Sequence, residues 1–190
     1  MDALRRIVRI VVYPQAEWRT IAREQPTVDE LIRRFILPLC LLAPIATVIG
    51  MKYFDAEWDP DNGYLVPAQD IFAAGATTLF TSIVSVFALA GIFVLIAPLY
   101  GSSRHFPTAL KVATFGAVPI LLAGATLILP VMAIIGLFGL GHSLFLYWLG
   151  AKEVLHVDRD HQAEFVGISM MLLIVLSTLA GASASAIGLF

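Results

Sequence analysis

Residues 71–99 read IFAAGATTLFTSIVSVFALAGIFVLIAPL, an apolar stretch that contains no Asp, Glu, Lys or Arg. The hydrocarbon core of a bilayer is about 30 Å thick, and an α-helix needs roughly 20 mostly apolar residues to cross it. The stretch is therefore predicted to span a membrane. Four other stretches meet the same criterion, and together they predict five spans, at about 35–53, 71–99, 109–129, 131–149 and 165–188.

The composition of the whole chain agrees with this prediction. Of its 190 residues, 59% are hydrophobic and 14% are charged, whereas an average soluble domain is about 45–50% apolar and about 25% charged. So few charges cannot cover the surface of a soluble domain of this length. The composition excludes an ordinary soluble enzyme, a disordered chain and a nucleic-acid-binding protein. It predicts an all-α polytopic membrane protein that is embedded in the lipid bilayer, which is therefore one of its partners.

The distribution of basic residues predicts the orientation of the spans. Eleven of the 12 Lys and Arg residues lie in the N-terminal segment, in the loop after the second span or in the loop before the fifth. Only Lys52 lies on the other side. Because basic residues resist translocation, we expect the N-terminus to be cytoplasmic and, after five spans, the C-terminus to be outside.

The N-terminal segment has an organisation of its own. We expect residues 1–34 to form a cytosolic or interfacial amphipathic region and residues 35–190 to form the five-helix transmembrane domain. Helical spacing places the first three arginines in one sector, opposite an apolar face, which is typical of a helix lying in a membrane interface. The motif at residues 27–30 (TVDE) has the Ser/Thr-x-x-Glu pattern of a capping box, so it predicts the start of the helix that leads into the first span.

Two interpretations of this basic segment remain open. It is either a tail that only fixes the topology or a collar that binds anionic lipid or a partner protein. The second interpretation assigns lipid or partner contacts to Arg5, Arg6, Arg9, Trp18, Arg33 and Arg34.

The polar residues within the spans are few. No Asp, Glu or Arg lies near the middle of a span, which disfavours a proton-coupled transporter or a pump. The hydroxyls of Thr78, Ser82 and Ser85 share one face of the second span, and His142 lies within the fourth. A packing role is favoured for them over an intramembrane polar site. Gly181 and Ser185 form a small-xxx-small pair suited to helix packing or self-association.

No sequence motif predicts catalysis. The chain contains no Gly-x-Ser-x-Gly, His-Glu-x-x-His, Cys-x-x-Cys or phosphate-binding glycine-rich loop. We therefore expect no enzymatic activity, and no catalytic, cofactor-binding or metal-binding residue is assigned. Whether the loop 156–164, which is rich in His and Asp, or the acidic loop 55–70 binds a cation is left open, and a solvated loop is the favoured interpretation of both.

Motifs in a fixed order along the chain carry a family resemblance. They are Pro14–Glu24 (PQAEWRTIARE), Ile36-Leu37-Pro38, Tyr100-Gly101, Phe106, Ala109-Leu110-Lys111-Val112, Pro119, Pro130, Ile135-Gly136, Gly139 and Leu146–Gly150 (LYWLG). In this order and spacing, which cover nearly the whole chain, the sequence resembles bacterial members of the Yip (Ypt-interacting-protein) family.

The resemblance implies the five-span layout with a cytoplasmic N-terminus, in a bacterial cytoplasmic (inner) membrane. Eukaryotic relatives associate with prenylated Rab/Ypt GTPases, a role that does not carry over because bacteria lack that vesicle machinery. We therefore expect a non-catalytic membrane organiser or adaptor that binds other membrane proteins or lipids, with a membrane-protein partner or a second copy of itself. The alternatives are a small transporter or channel for a solute or lipid and, less favoured, a membrane enzyme that acts on lipid.

Overall fold

The computed structural model describes residues 3–54, 66–102, 104–129 and 132–186, and within these ranges it contains helices and no β-strand. The N-terminal segment forms two short helices, and the remaining helices form the bundle. In chain order they are α1 (Ala3–Val12), α2 (Pro14–Arg23), α3 (Val28–Tyr53), α4 (Ala68–Tyr100), α5 (Phe106–Gly116), α6 (Val118–Ile128), α7 (Ala133–Glu153) and α8 (Gln162–Ala186).

Four of these helices, α3, α4, α7 and α8, are each long and apolar enough to cross a membrane. The pair α5 and α6 meets the same test when taken together, which gives a fifth candidate span. The prediction of an all-helical, multi-pass membrane protein is confirmed. The third predicted span, 109–129, is not one helix, because α5 and α6 meet at an angle of 43°.

Local sequence signals explain where the helices begin and end. The predicted capping box is present at the start of α3: the hydroxyl of Thr27 accepts from the amide of Glu30 at 3.2 Å, and the Glu30 carboxylate accepts from the amide of Thr27 at 3.4 Å. The helix then runs without interruption past residue 34, through a π-helical segment at Ile32–Ile36. The next span, α4, ends in a 3₁₀ turn that is followed by Gly101, whose φ of +73° lies in the left-handed region that favours glycine.

The bend between α5 and α6 has a defined cause. Pro119 lacks an N–H, and its ring displaces the carbonyl four residues before it, so a regular helix cannot continue. The next amide, that of Ile120, donates instead to the hydroxyl of Ser143 on α7, at 3.0 Å. Side-chain hydroxyls satisfy freed backbone groups in this way inside membranes. Gly139 of α7 allows the close approach of α6 to α7, since an added Cβ there would lie 3.0 Å from the Pro119 carbonyl oxygen.

Burial divides the bundle into a centre and a periphery. Residues 109–119, which cover most of α5 and the start of α6, are all buried. In contrast, large apolar side chains of α8 from Met171 to Leu179 are mostly exposed, as are Phe72 and Phe80 on α4. In a membrane protein such faces contact lipid tails or another apolar protein surface.

Candidate functional site

The two N-terminal helices are docked into the end of the bundle where α5 begins and α7 ends. Trp18 of α2 is completely buried, and its ring packs edge-on against Phe115, with 6.4 Å between centroids. Gly150 of α7 provides the space, because a Cβ there would lie 2.8 Å from both Cη2 of Trp18 and Cγ1 of Val112. This close approach of α2 to α7 therefore requires glycine at position 150.

An ion network holds α1 on α2. The carboxylate of Glu17 is fully buried; its Oε2 accepts from Nε of Arg9 at 2.7 Å, and its Oε1 lies 3.5 Å from Nε of Arg6. The Arg6 guanidinium also donates to both carboxylate oxygens of Glu24, with an Nη2–Oε1 distance of 2.7 Å. Removing one member of a buried pair leaves an uncompensated charge, so such groups stabilise a structure only together. The network therefore fixes the position of α1.

The same contacts shift the protonation of the Arg6–Glu24 pair. The hydrogen bond from Arg6 holds the pKa of Glu24 below its ordinary value, and the hydrogen bond to Glu24 raises the pKa of Arg6. Both shifts favour the charged forms. The pair therefore remains an ion pair throughout the neutral pH range.

Lys111 connects the N-terminal helices to the central helix of the bundle. Its side chain is buried, and its Nζ donates to the backbone carbonyls of Ile21 at 3.0 Å and Glu24 at 2.9 Å. These carbonyls lie at the end of α2, where that of Ile21 also accepts from the amide of Glu24 at 3.2 Å and where a cation interacts favourably with the helix dipole. The lysine thus caps α2 from α5.

The predicted contact residues differ in burial. Arg6 and Trp18 lie inside the protein, where Arg6 forms ion pairs and Trp18 packs against Phe115, and their contact with lipid or a partner stays a prediction. Arg5 is exposed and Arg9 is partly exposed, and Arg33 and Arg34 are exposed and lie near acidic side chains one turn earlier on α3.

Three residues of the site were not identified from the sequence, namely Glu17, Glu24 and Lys111. Glu17 lies in α2, but Glu24 follows its end, so helical spacing does not relate the two. Nothing in the local sequence distinguishes Lys111 from a loop lysine, because its partners lie about 90 positions earlier in the chain.

The outward face of α1 carries an apolar ridge. Leu4, Val8 and Val12 follow one another at one-turn spacing and are 71%, 54% and 56% exposed. Arg5 lies at the edge of this ridge. The apolar face predicted from the sequence is thus divided, because Ile10 is buried against the bundle. On α2, Arg19 and Arg23 are exposed, and neither they nor Arg5 form an ion pair with another described residue. We call this surface the α1–α2 outer face.

A second feature lies within the spans. A cavity of about 610 Å³ is bordered by α3, α4, α6, α7 and α8, and Thr78, Ser82 and Ser85 all line it. The three predicted hydroxyls are therefore brought together. His142 is not among the described lining residues; its ring lies 6.1 Å from that of Phe145, and its buried Nε2 has no hydrogen-bond partner in the described part of the chain.

The remaining predicted features are resolved only in part. Among the described residues, no three His, Cys, Asp or Glu side chains lie close enough together to hold a metal ion. Within the loop 156–164, Nδ1 of His161 lies 3.2 Å from the Glu164 carboxylate. Residues 55–65 of the acidic loop lie outside the described residues. Gly181 and Ser185 lie in α8, among the residues whose side chains are not described.

Together, the apolar spans, the bent central span and the docked N-terminal pair define the class of this chain, a multi-pass α-helical membrane protein. The family profile of the Yip1 domain matches residues 8–182. The chain therefore belongs to the Yip family, as its motifs indicated. The matched residues include α2 and the helices α5 and α7, which α2 contacts. No curated protein and no solved structure matches the chain.

Proposed function

We propose that this Yip-family protein is a non-catalytic organiser or adaptor of a bacterial cytoplasmic membrane, and that its α1–α2 outer face binds anionic lipid or another membrane protein. The proposal includes the orientation with the N-terminus in the cytoplasm, which is supported by the position of 11 of the 12 basic residues. A second copy of the chain is one candidate for the protein partner.

The observation that carries the proposal is the exposed ridge of Leu4, Val8 and Val12 on α1. The same two helices expose Arg5, Arg19 and Arg23, which have no ionic partner among the described residues. An apolar ridge with a basic edge suits a helix that inserts between lipid headgroups. The buried ion network and Lys111 hold this face in place before anything binds. Binding to a rigid surface loses less conformational entropy than binding to a flexible tail.

Electrostatic attraction gives the size of the expected effect. A Lys or Arg near an anionic membrane surface contributes about 1 kcal/mol, so Arg5, Arg19 and Arg23 together contribute about 3 kcal/mol. A triple change of these residues to Glu should therefore lower the affinity for anionic lipid about 100-fold or more, because every 1.4 kcal/mol corresponds to a factor of ten. All three side chains are exposed, so the fold should tolerate the change.

The experiment uses the full chain in nanodiscs that contain zwitterionic lipid with a minor fraction of phosphatidylglycerol. Native mass spectrometry after release counts the anionic lipids that remain bound. We expect the wild-type protein to retain them and the triple variant to lose them. Lys52→Glu provides the matched control, since this exposed basic residue lies at the opposite end of α3. Equal retention by the wild-type protein and the triple variant would contradict lipid binding by this face.

The adaptor role needs a second measurement in native membranes. A photo-crosslinking amino acid at Val8, on the ridge, should capture a defined membrane protein, whereas the same amino acid at exposed Phe72 of α4 should not. The triple arginine variant should abolish the Val8 adduct. If Val8 yields only lipid adducts, the protein binds the membrane surface without acting as an adaptor.

A small transporter or channel is the second candidate, because hydroxyls and an internal cavity occur together between the spans. Solute flux into proteoliposomes that is lost in a Thr78→Val, Ser82→Ala double variant would favour it. A lipid-acting enzyme has less support, since the acidic and basic side chains of the N-terminal site pair with one another.

A further inference from the structure

We infer that the cavity between α4 and the helices α3, α6, α7 and α8 binds one acyl chain of a membrane lipid, which enters sideways from the bilayer. This inference goes beyond the organiser role, because the α1–α2 outer face contributes no described residue to the cavity. The lipid-binding cavity and the organiser role can therefore be refuted independently of each other.

The dimensions of the cavity match one chain. Its lining follows α4 from Thr77 to Leu89, which corresponds to about 18 Å at 1.5 Å per residue. One leaflet of the hydrocarbon core is about 15 Å deep. The volume of about 610 Å³ is typical of a small-molecule site.

The lining of the cavity is buried at one end and exposed at the side. Val86, Leu89 and Tyr147 line its inner end, and all three are buried. Thr81, Leu127 and Leu140 also line it but are exposed. A solute path must be open at two ends, whereas a chain that enters from the bilayer needs only one lateral opening. The buried inner end therefore favours binding over conduction.

The chemistry of the walls also fits an acyl chain. The described lining residues include no charged side chain, and most of them are apolar. The hydroxyl of Thr78 donates to the carbonyl of Ala74 in its own helix at 2.8 Å, so it does not require a polar ligand. Since the bilayer is itself apolar, close packing rather than hydrophobic transfer has to stabilise the bound chain.

Gly136 offers a direct test, because it lines the cavity and a Cβ there would meet no described atom within 4 Å. Gly136→Phe should fill the cavity without a backbone clash. Gly141→Phe is the matched control: this residue lies on the same helix, a Cβ there also meets no described atom within 4 Å, and it is exposed and absent from the described lining.

The probe is a phosphatidylcholine with a diazirine near the end of one acyl chain, mixed into vesicles that contain the full-length protein. After illumination, adducts are mapped by mass spectrometry at Val86, Leu89 and Tyr147, which are buried and reached through the cavity. We expect adducts there in the wild-type protein and in Gly141→Phe, and an approximately tenfold loss in Gly136→Phe, equivalent to about 1.4 kcal/mol. The absence of adducts in the wild-type protein, or equal labelling of all three proteins, would overturn the inference.

A second measurement does not depend on filling the cavity. Cys40 is the only cysteine of the chain, so Ser85→Cys in a Cys40→Ala background places one thiol in the cavity. A water-soluble maleimide should leave this thiol unmodified in vesicles while it labels an exposed Tyr53→Cys control. Labelling of Ser85→Cys as fast as the control would show an aqueous path and would overturn the lipid site in favour of transport.

Discussion

Replacing Trp18 with alanine should release α2 from the bundle. The side chain is completely buried, and removing a buried Trp or Phe costs about 3–5 kcal/mol. Gly150→Ala should act on the same contact from the other side, because its Cβ would lie 2.8 Å from the Trp18 ring. Overpacking of this kind costs about 1–3 kcal/mol.

The double variant is the decisive one. Once Trp18 is absent, the methyl group of Gly150→Ala has lost one of its two obstacles, and Val112 still lies 2.8 Å from it. The second substitution should therefore cost less in the Trp18→Ala background than in the wild-type protein. Residues in direct contact show coupling energies of about 0.5–3 kcal/mol in such cycles.

Native-state proteolysis measures the release. Trypsin cleavage after Arg19 or Arg23 requires α2 to open, and its rate follows the open population when closing is fast. A loss of 3–5 kcal/mol should raise that rate by about two to four orders of magnitude, up to the limit of complete release. Trp148→Ala, at a half-buried Trp on α7, is the control. An unchanged cleavage rate in Trp18→Ala, or strictly additive effects in the double variant, would refute the packing described here.

Three further outcomes are expected. Lys111→Met should cost about 1–3 kcal/mol because it removes the Nζ donor from the carbonyls of Ile21 and Glu24; faster hydrogen exchange in α2 but not in α7 would show this loss, and equal exchange rates in the variant and the wild-type protein would count against it. Glu24 has a pKa lowered by Arg6, so its contribution to docking is complete above its ordinary value of 4.5 and is lost as the pH falls below 4.5 through the lowered pKa; Glu24→Gln should remove this acid-sensitive step from a pH series of the proteolysis assay, and persistence of the step would assign it elsewhere. Ser143→Ala should lower thermal stability by leaving a backbone amide of α6 unpaired, at about 1–3 kcal/mol, whereas Ser169→Ala, whose hydroxyl bonds only within its own helix, should leave it nearly unchanged; similar melting temperatures for both variants would argue against the cross-helix bond.

Much of the fold follows from the sequence because hydropathy and capping are local signals. The long apolar stretches predict the spans, and the capping box at Thr27 predicts the start of α3. The sequence shows Pro119 but does not predict the bend between α5 and α6. The bend depends on two residues of another helix, the hydroxyl of Ser143 and Gly139, which has no side chain to block the approach.

The N-terminal site was predicted only in outline, for a physical reason. A helical projection places Arg6 beside the other basic residues, and it contains no information about which face meets the bundle. Burial of Arg6 depends on Glu24, and burial of Trp18 depends on Gly150, more than 100 positions later. The hydroxyl row of α4 was predicted because its spacing is local, whereas the cavity that it lines is formed by four other helices.

The contact between Trp18 and Gly150 also determines when α2 can dock during synthesis of the chain. Gly150 emerges from the ribosome about 130 residues after Trp18, which at about 5–20 residues per second is a delay of roughly 7–26 s. During that interval the buried partner of α2 does not yet exist, and Lys111 reaches its two carbonyls only when the third span is in place. Until then α2 cannot dock, although the ion pairs of Arg6 and Arg9 with Glu17 and Glu24 join residues of the first 24 positions and can form earlier. Docking of α2 is thus a late step, which reports that the later spans have been inserted and have folded.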